Sequence, residues 1–180
     1  MRFMAQVKSE NKKIGILGGT FDPAHKGHLE ISRVAIKKFK LTKIIWAITK
    51  QNPFKIQSLN SYVQRIKFAK KVIKKNKFIK IKCFENDVNS HKTIDLIKYL
   101  YKNNQNTELY FIMGADNLVN FHKWYKYEKI VKLCKILVFD RNGYKAKALK
   151  SISYRKFKKH YIEFIEFNKV NISSSQIRKI

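Results

Sequence analysis

The sequence is poor in cysteine and in acidic residues, and it has no long apolar run. Its two cysteines, Cys83 and Cys134, stand far apart and have no metal-ligand spacing, so each reads as a small buried hydrophobe in or beside a strand. No apolar stretch approaches the roughly 20 residues that a membrane-spanning helix needs. The start, Met1 to Lys13, is polar and lacks the apolar middle of a signal peptide. Internal repeats and low-complexity linkers are missing as well. These absences favour a single domain over residues 1–180, with 1–12 as a polar N-terminal extension, in a reducing cytoplasm and without a membrane partner. At 180 residues such a domain buries roughly 70% of its unfolded surface. The 44% hydrophobic and 13% aromatic content argues against disorder.

The shortage of acid sets the charge: 12 Asp and Glu face 40 Lys and Arg, a formal net charge of +28. Such a charge suits nucleic-acid binding, attraction of small polyphosphates, or simple scatter over solvated faces. The lysines occur singly or in pairs, as at Lys37–Lys38, Lys70–Lys71, Lys74–Lys75 and Lys158–Lys159, with no basic arm or tail. That distribution favours scatter first and anion attraction second, and no specific nucleic-acid partner is expected.

What the sequence does contain is a regular alternation of strand-length apolar runs and amphipathic segments. Strands are expected at Ile14 to Leu17, Lys43 to Thr49, Phe78 to Phe84, Glu108 to Met113 and Lys135 to Phe139, with an edge strand at Tyr161 to Phe167. Helices are expected at Gly27 to Phe39, from a Ser61 cap through Lys75, and at Thr93 to Tyr101, Trp124 to Leu133 and Ser173 to Ile180. The second of these carries an apolar stripe of Val63, Ile66, Phe68, Ala69, Val72 and Ile73. The fold class that follows is α/β: a Rossmann-like, doubly wound, mostly parallel sheet of five or six strands with helices on both faces. In such sheets ligands bind beyond the carboxyl ends of the strands, at the topological switch point.

Directly after the first strand comes Gly18-Gly19-Thr20-Phe21-Asp22-Pro23-Ala24-His25-Lys26-Gly27-His28. The glycine pair permits positive φ and close approach of a phosphate to the main chain. His25 and His28 straddle a helix start and can point the same way. The unpaired N–H groups of that helix start favour an anion. Two imidazoles aimed at it can donate hydrogen bonds to non-bridging oxygens as charge develops in phosphoryl transfer. The same spacing would suit zinc, but no third ligand stands nearby. A Walker A loop is excluded, because no Gly-Lys-Ser/Thr ending is present.

This segment resembles the GGTFDPxHxGH signature of bacterial nicotinate-nucleotide adenylyltransferases, within the nucleotidyltransferase superfamily that shares an HxGH motif. The resemblance implies adenylyl transfer from ATP to nicotinate mononucleotide, giving nicotinate adenine dinucleotide and pyrophosphate, a step of NAD biosynthesis. It implies Mg²⁺ accompanying ATP and held mainly by the phosphates. By the same resemblance His25 and His28 contact the ATP phosphates without a covalent intermediate, and Gly18, Gly19, Thr20, Phe21 and Gly27 line the ATP.

Further motifs follow in the family's order. Lys50-Gln51-Asn52-Pro53-Phe54-Lys55 stands where the family has a Pro-Pro-His-Lys loop, which makes Lys55 a phosphate-facing cation; read alone it is a solvated lysine. Arg65 resembles a family arginine, and a surface ion pair explains it equally well. His91-Lys92-Thr93 aligns with a Ser-Tyr-Thr segment whose main chain receives the nicotinate carboxylate, with Thr93 kept and Lys92 in place of Tyr. Gly114-Ala115-Asp116-Asn117 with Trp124 resembles a GADN…W arrangement that sets the Asp near the nucleotide and the Trp beside the pyridine ring. Asp116 as a helix cap and Trp124 as a core aromatic remain open alternatives. Arg141-Asn142-Gly143 resembles an Arg-Pro-Gly turn on the acceptor side. Ile172-Ser173-Ser174-Ser175-Gln176-Ile177-Arg178 resembles Ile-Ser-Ser-Thr-x-Ile-Arg, which assigns Ser174 and Ser175 to ATP and Arg178 to the reacting phosphates; a plain serine cap is the alternative.

Overall fold

The computed structural model describes residues 12–50, 58–74 and 76–166. Within them the chain runs β1 (Lys12–Gly19), α1 (Lys26–Phe39), β2 (Lys43–Ile48), α2 (Tyr62–Ile73), β3 (Ile79–Lys82), α3 (Glu85–Val88), α4 (Thr93–Asn103) and β4 (Thr107–Gly114). It continues with α5 (Ala115–Val119), α6 (Tyr127–Leu133), β5 (Lys135–Phe139), α7 (Lys145–Leu149), α8 (Ile152–Phe157) and β6 (Ile162–Ile165). The strands form one sheet in the order β3-β2-β1-β4-β5-β6, and every pairing is parallel. The expected edge strand is therefore a sixth parallel member, and the sheet grows outward in both directions from the β1–β4 seam. There the connections after β1 and β4 depart in opposite directions and leave a crevice at the carboxyl ends of the strands.

Burial on both faces explains why the strands read as near-continuous apolar runs. Ile14, Ile16, Ile45, Ala47, Phe111 and Met113 pack with residues of α4, α5 and α6. Leu17, Trp46, Ile48, Tyr110 and Ile112 pack on the opposite face with residues of α1 and α2. Gly15 is a fixed point of that second layer. A Cβ there would stand 2.9 Å from Ile44 Cγ1 and Leu41 Cδ1 and 3.1 Å from Ile112 Cδ1. Gly15→Ala is expected to destabilise the protein by about 1–3 kcal/mol through overpacking, read as a lower midpoint in urea with an unchanged slope.

Several boundaries differ from the sequence reading. β1 begins at Lys12, inside the segment read as an extension, because Lys12 pairs with Thr107 of β4. The helix expected from Trp124 starts only at Tyr127, since Phe121–Lys123 forms a separate 3-10 turn and Lys126 sits in the left-handed region at φ 52°. Ser61 does cap α2: its Oγ accepts the Gln64 N–H, and Gln64 Oε1 accepts the Ser61 N–H. The apolar stripe of α2 is displaced, however. Val63 is 62% exposed, whereas Arg65 is only 2% exposed and faces inward. The short helices α3, α5, α7 and α8 have too few turns to show a period in the sequence. The expected helix at Ser173 to Ile180 lies outside the described residues.

Candidate active site

β1 delivers the chain into the loop that leads to α1. Gly18 and Gly19 are the last residues of the strand, so the expected positive φ does not fall on them; it falls on Phe21, at φ 50°. Gly18 answers a packing need instead, since a Cβ there would press on the Phe111 ring of β4 at 3.2 Å. Asp22, buried at the turn, fastens the loop to the approach of α2. Its carboxylate accepts from Leu59 N–H (2.8 Å), Asn60 N–H (3.2 Å) and Asn60 Nδ2 (2.7 Å).

The two histidines cap α1 reciprocally. His25 is the N-cap, and its Nδ1 accepts the N–H of the buried Gly27 at 3.1 Å. His28 Nδ1 accepts the His25 N–H at 3.2 Å. An imidazole that accepts at Nδ1 carries its proton, when neutral, on Nε2, so both rings are set as Nε2–H donors. Their centroids lie 3.9 Å apart. His28 packs on Phe21 at 4.7 Å, and Phe21 stacks on Trp46 at 4.9 Å. Trp46 Nε1–H donates to Ser32 Oγ (2.9 Å), and the Ser32 hydroxyl donates to the His28 carbonyl (2.9 Å). Trp46 and Ser32 thus hold His28 from below.

Burial, and after it the Arg141 guanidinium, lower the pKa of His25 from 6.5 to about 4. The His25 ring is therefore neutral at neutral pH. Its fold-state preference for the neutral ring adds stability that is whole above about pH 6.5 and is lost as pH falls through about 4. In the free protein the His25 imidazole is expected to titrate near pH 4 by NMR, and Arg141→Gln should move that midpoint upward. A midpoint at the ordinary histidine value would contradict this environment.

At the ends of the neighbouring strands β4 and β5, Arg141 Nη1 donates to Asp116 Oδ2 at 2.7 Å. Asp116 is consequently an ion-pair partner and not a side-chain cap; the N-cap of α5 is Gly114, with no side-chain cap bond. The carboxylate folds back over Gly114, where a Cβ would stand 2.5 Å from Asp116 Oδ1. The influence of Arg141 on His25 joins this pair to the histidines, so the ends of β1, β4 and β5 meet in one charged neighbourhood.

A second neighbourhood adjoins the first through Phe111. The ring of Phe111 lies under Gly18 and 6.1 Å from Trp124, which also meets Phe121 edge-on at 5.3 Å. Trp124 is half-buried against the core, so its packing role is real. Thr93 is the first residue of α4, after Lys92. Lys92 Nζ lies 4.4 Å from the Tyr125 ring centre, which brings this helix start beside the Trp124 loop.

Arg65 departs most from its sequence reading. Among the described residues it forms no ion pair: Nη1 donates to the carbonyls of Thr20 (2.6 Å) and Thr49 (2.8 Å), Nη2 to Lys50 O (2.7 Å), and Nε to Asn60 O (3.2 Å). Glu85 adds to the grip by accepting from Thr49 Oγ1 and from the Lys50 N–H. Asp22, Ser32, Trp46 and Glu85 carried no functional sign in sequence beyond the place of Asp22 in the loop motif. Lys55, Ser174, Ser175 and Arg178 lie outside the described residues. Among the described residues no group of three or more His, Cys, Asp or Glu could hold a metal ion, and no helix is long and apolar enough to cross a membrane.

A parallel 3-2-1-4-5-6 sheet with a histidine-capped helix start at its switch point is the frame of a nucleotidyltransferase, and the cytidylyltransferase-like family matches residues 16–180. The chain is 64% identical over 97% of its length to a Pelagibacter ubique (strain HTCC1062) protein named "Probable nicotinate-nucleotide adenylyltransferase", of which 99% is covered. It belongs to the nicotinate-nucleotide adenylyltransferase family. In fold it is similar to the Plasmodium falciparum nicotinic acid mononucleotide adenylyltransferase. The complex of that protein with APC matches at 25% identity and TM-score 0.75, and its complex with NaAD at 24% and 0.74; both cover 93% of this chain and 83% of that one.

Proposed function

We propose that the chain transfers the AMP group of Mg-ATP to nicotinate mononucleotide, forming nicotinate adenine dinucleotide and pyrophosphate in the cytoplasm. The observation that carries this reading is the reciprocal histidine cap at the start of α1, which ties both Nδ1 atoms to backbone N–H groups and leaves each ring to donate from Nε2. The acceptor's phosphate oxygen attacks the α-phosphorus in line; the new P–O bond forms as the bond to the β-phosphate oxygen breaks. No proton need be removed from the nucleophile, because a phosphate monoester is ionised near neutral pH. Catalysis then rests on positioning and charge stabilisation.

In this reading His25 and His28 stabilise by hydrogen bonding, and Lys55 and Arg178 neutralise, the charge on the transferring and leaving phosphates. Gly18, Gly19, Thr20, Phe21, Gly27, Gly114, Asp116, Ser174 and Ser175 line the ATP. The α4 start at Thr93 offers free N–H groups to the nicotinate carboxylate, Trp124 flanks the pyridine ring, and Arg141 approaches the acceptor. Mg²⁺ enters with ATP as part of the substrate, held mainly by phosphate oxygens and water. That suits a hard ion of this size beside two imidazoles whose Nδ1 atoms are already engaged.

The test is pyrophosphate release with Mg-ATP and, in separate reactions, nicotinate mononucleotide, nicotinamide mononucleotide or phosphopantetheine. Release with the nicotinate acceptor alone is the expected result. Release with another acceptor instead would keep the chemistry and overturn the substrate.

A further inference from the structure

Arg65 lies at the root of the site, not in it, and its surroundings are unusual for a charged group. It is 2% exposed, and among the described residues its guanidinium donates four hydrogen bonds, all to backbone carbonyls. A buried cation is costly unless its donors are matched, and the planar fork of arginine can serve several acceptors at once in fixed directions. Those acceptors belong to three separate stretches of chain. Thr20 opens the loop that ends in His25, Thr49 and Lys50 leave β2, and Asn60 leads into α2. Aromatic contact with Tyr62, whose ring centre is 5.3 Å from Cζ, steadies the fork from the side. Tyr62 is itself held by its hydroxyl donating to Ile48 O at 3.1 Å.

We propose that Arg65 is a positioning residue for adenylyl transfer, which orients the Thr20–Phe21 peptide and spaces the histidine loop against the chain leaving β2. This rests on the adenylyltransferase reading above. A trans peptide directs its C=O and N–H to opposite sides. With the Thr20 carbonyl held by Nη1, the Phe21 N–H is directed to the opposite side of the peptide, away from Arg65. Asp22, two residues further along the same loop, grips Leu59 and Asn60 from the other side. Arg65 and Asp22 therefore brace the loop between them, one through carbonyls and the other through N–H groups. Phe21 holds a left-handed φ of 50° within that brace, a conformation that a non-glycine residue keeps only when its surroundings over-determine it.

Lysine in place of Arg65 keeps the charge but offers a single compact ammonium, which cannot reproduce the fork. Arg65→Lys, assayed well below its melting temperature, is expected to lower kcat by about 10- to 100-fold, the scale of a misplacement near 1 Å. KM for nicotinate mononucleotide should change little, because Thr93 and Trp124 stand apart from this brace. Arg65→Ala supplies a second readout: millimolar guanidinium chloride, far below denaturing levels, should restore part of its turnover, and equal sodium chloride should not. Where Arg65→Ala does not fold, Arg65→Lys decides alone. A folded Arg65→Lys enzyme with kcat within twofold of the unaltered protein and only a lower Tm would overturn the assignment. If the unaltered protein itself makes no dinucleotide, the adenylyltransferase reading fails before Arg65 is tested.

Discussion

His28→Ala is expected to lower turnover by about 10²- to 10³-fold while leaving the protein folded. In the proposed mechanism the ring, its Nδ1 tied to the His25 N–H, donates from Nε2 to the reacting phosphates. Such a donor acts on charge that appears only as the α-phosphate is transferred, and its loss falls mainly on kcat. The structural cost is modest by comparison. The variant gives up one capping bond and the contact with Phe21, about 1 kcal/mol of helix-start stability. His25→Ala removes the N-cap itself and should combine a comparable kinetic loss with a larger drop in Tm. Steady-state kinetics paired with thermal melts separate the two effects. A folded His28→Ala protein with near-normal turnover would remove His28 from the mechanism.

Trp46→Ala is expected to cost about 3–5 kcal/mol of stability, the range for truncating a large buried aromatic, and to lower Tm on the order of 10 °C. Trp46 is 0% exposed in the middle of β2. It stacks on Phe21, and its indole N–H donates to Ser32 Oγ, which in turn donates to the His28 carbonyl. Truncation therefore opens a cavity directly beneath the histidine loop. Trp46→Phe isolates the polar part: most of the volume stays, while Ser32 loses its donor. That variant should melt between the unaltered protein and Trp46→Ala. If Trp46→Ala melts within a degree or two of the unaltered protein, the stack is not supporting the site as described.

The sheet was legible because buried parallel strands leave an unambiguous mark. The apolar run Lys135–Phe139 needed no correction, and Lys43 to Thr49 ended one residue beyond the observed β2. The histidine segment was equally legible, since its residue types and spacing belong to one chemistry. Arg65 was not, because sequence periodicity treats arginine as solvated. Its burial depends on carbonyls from Thr20, Thr49, Lys50 and Asn60 that meet only in the fold. The same cause hid the Asp116–Arg141 pair. Each residue had a local explanation, a cap and a turn, and the ion pair joins strand ends separated by α5 and α6. Gly18 misled in the other direction: a glycine pair suggests an unusual backbone, yet its strand needs the missing side chain to admit Phe111.

The central claim is that the α-phosphorus of ATP moves. The most direct measurement supplies ATP labelled at the α-phosphate with Mg²⁺ and nicotinate mononucleotide, and follows the label by chromatography. Label is expected to accumulate in nicotinate adenine dinucleotide, in step with release of unlabelled pyrophosphate. Label confined to ADP or free AMP, with no dinucleotide formed, would contradict it.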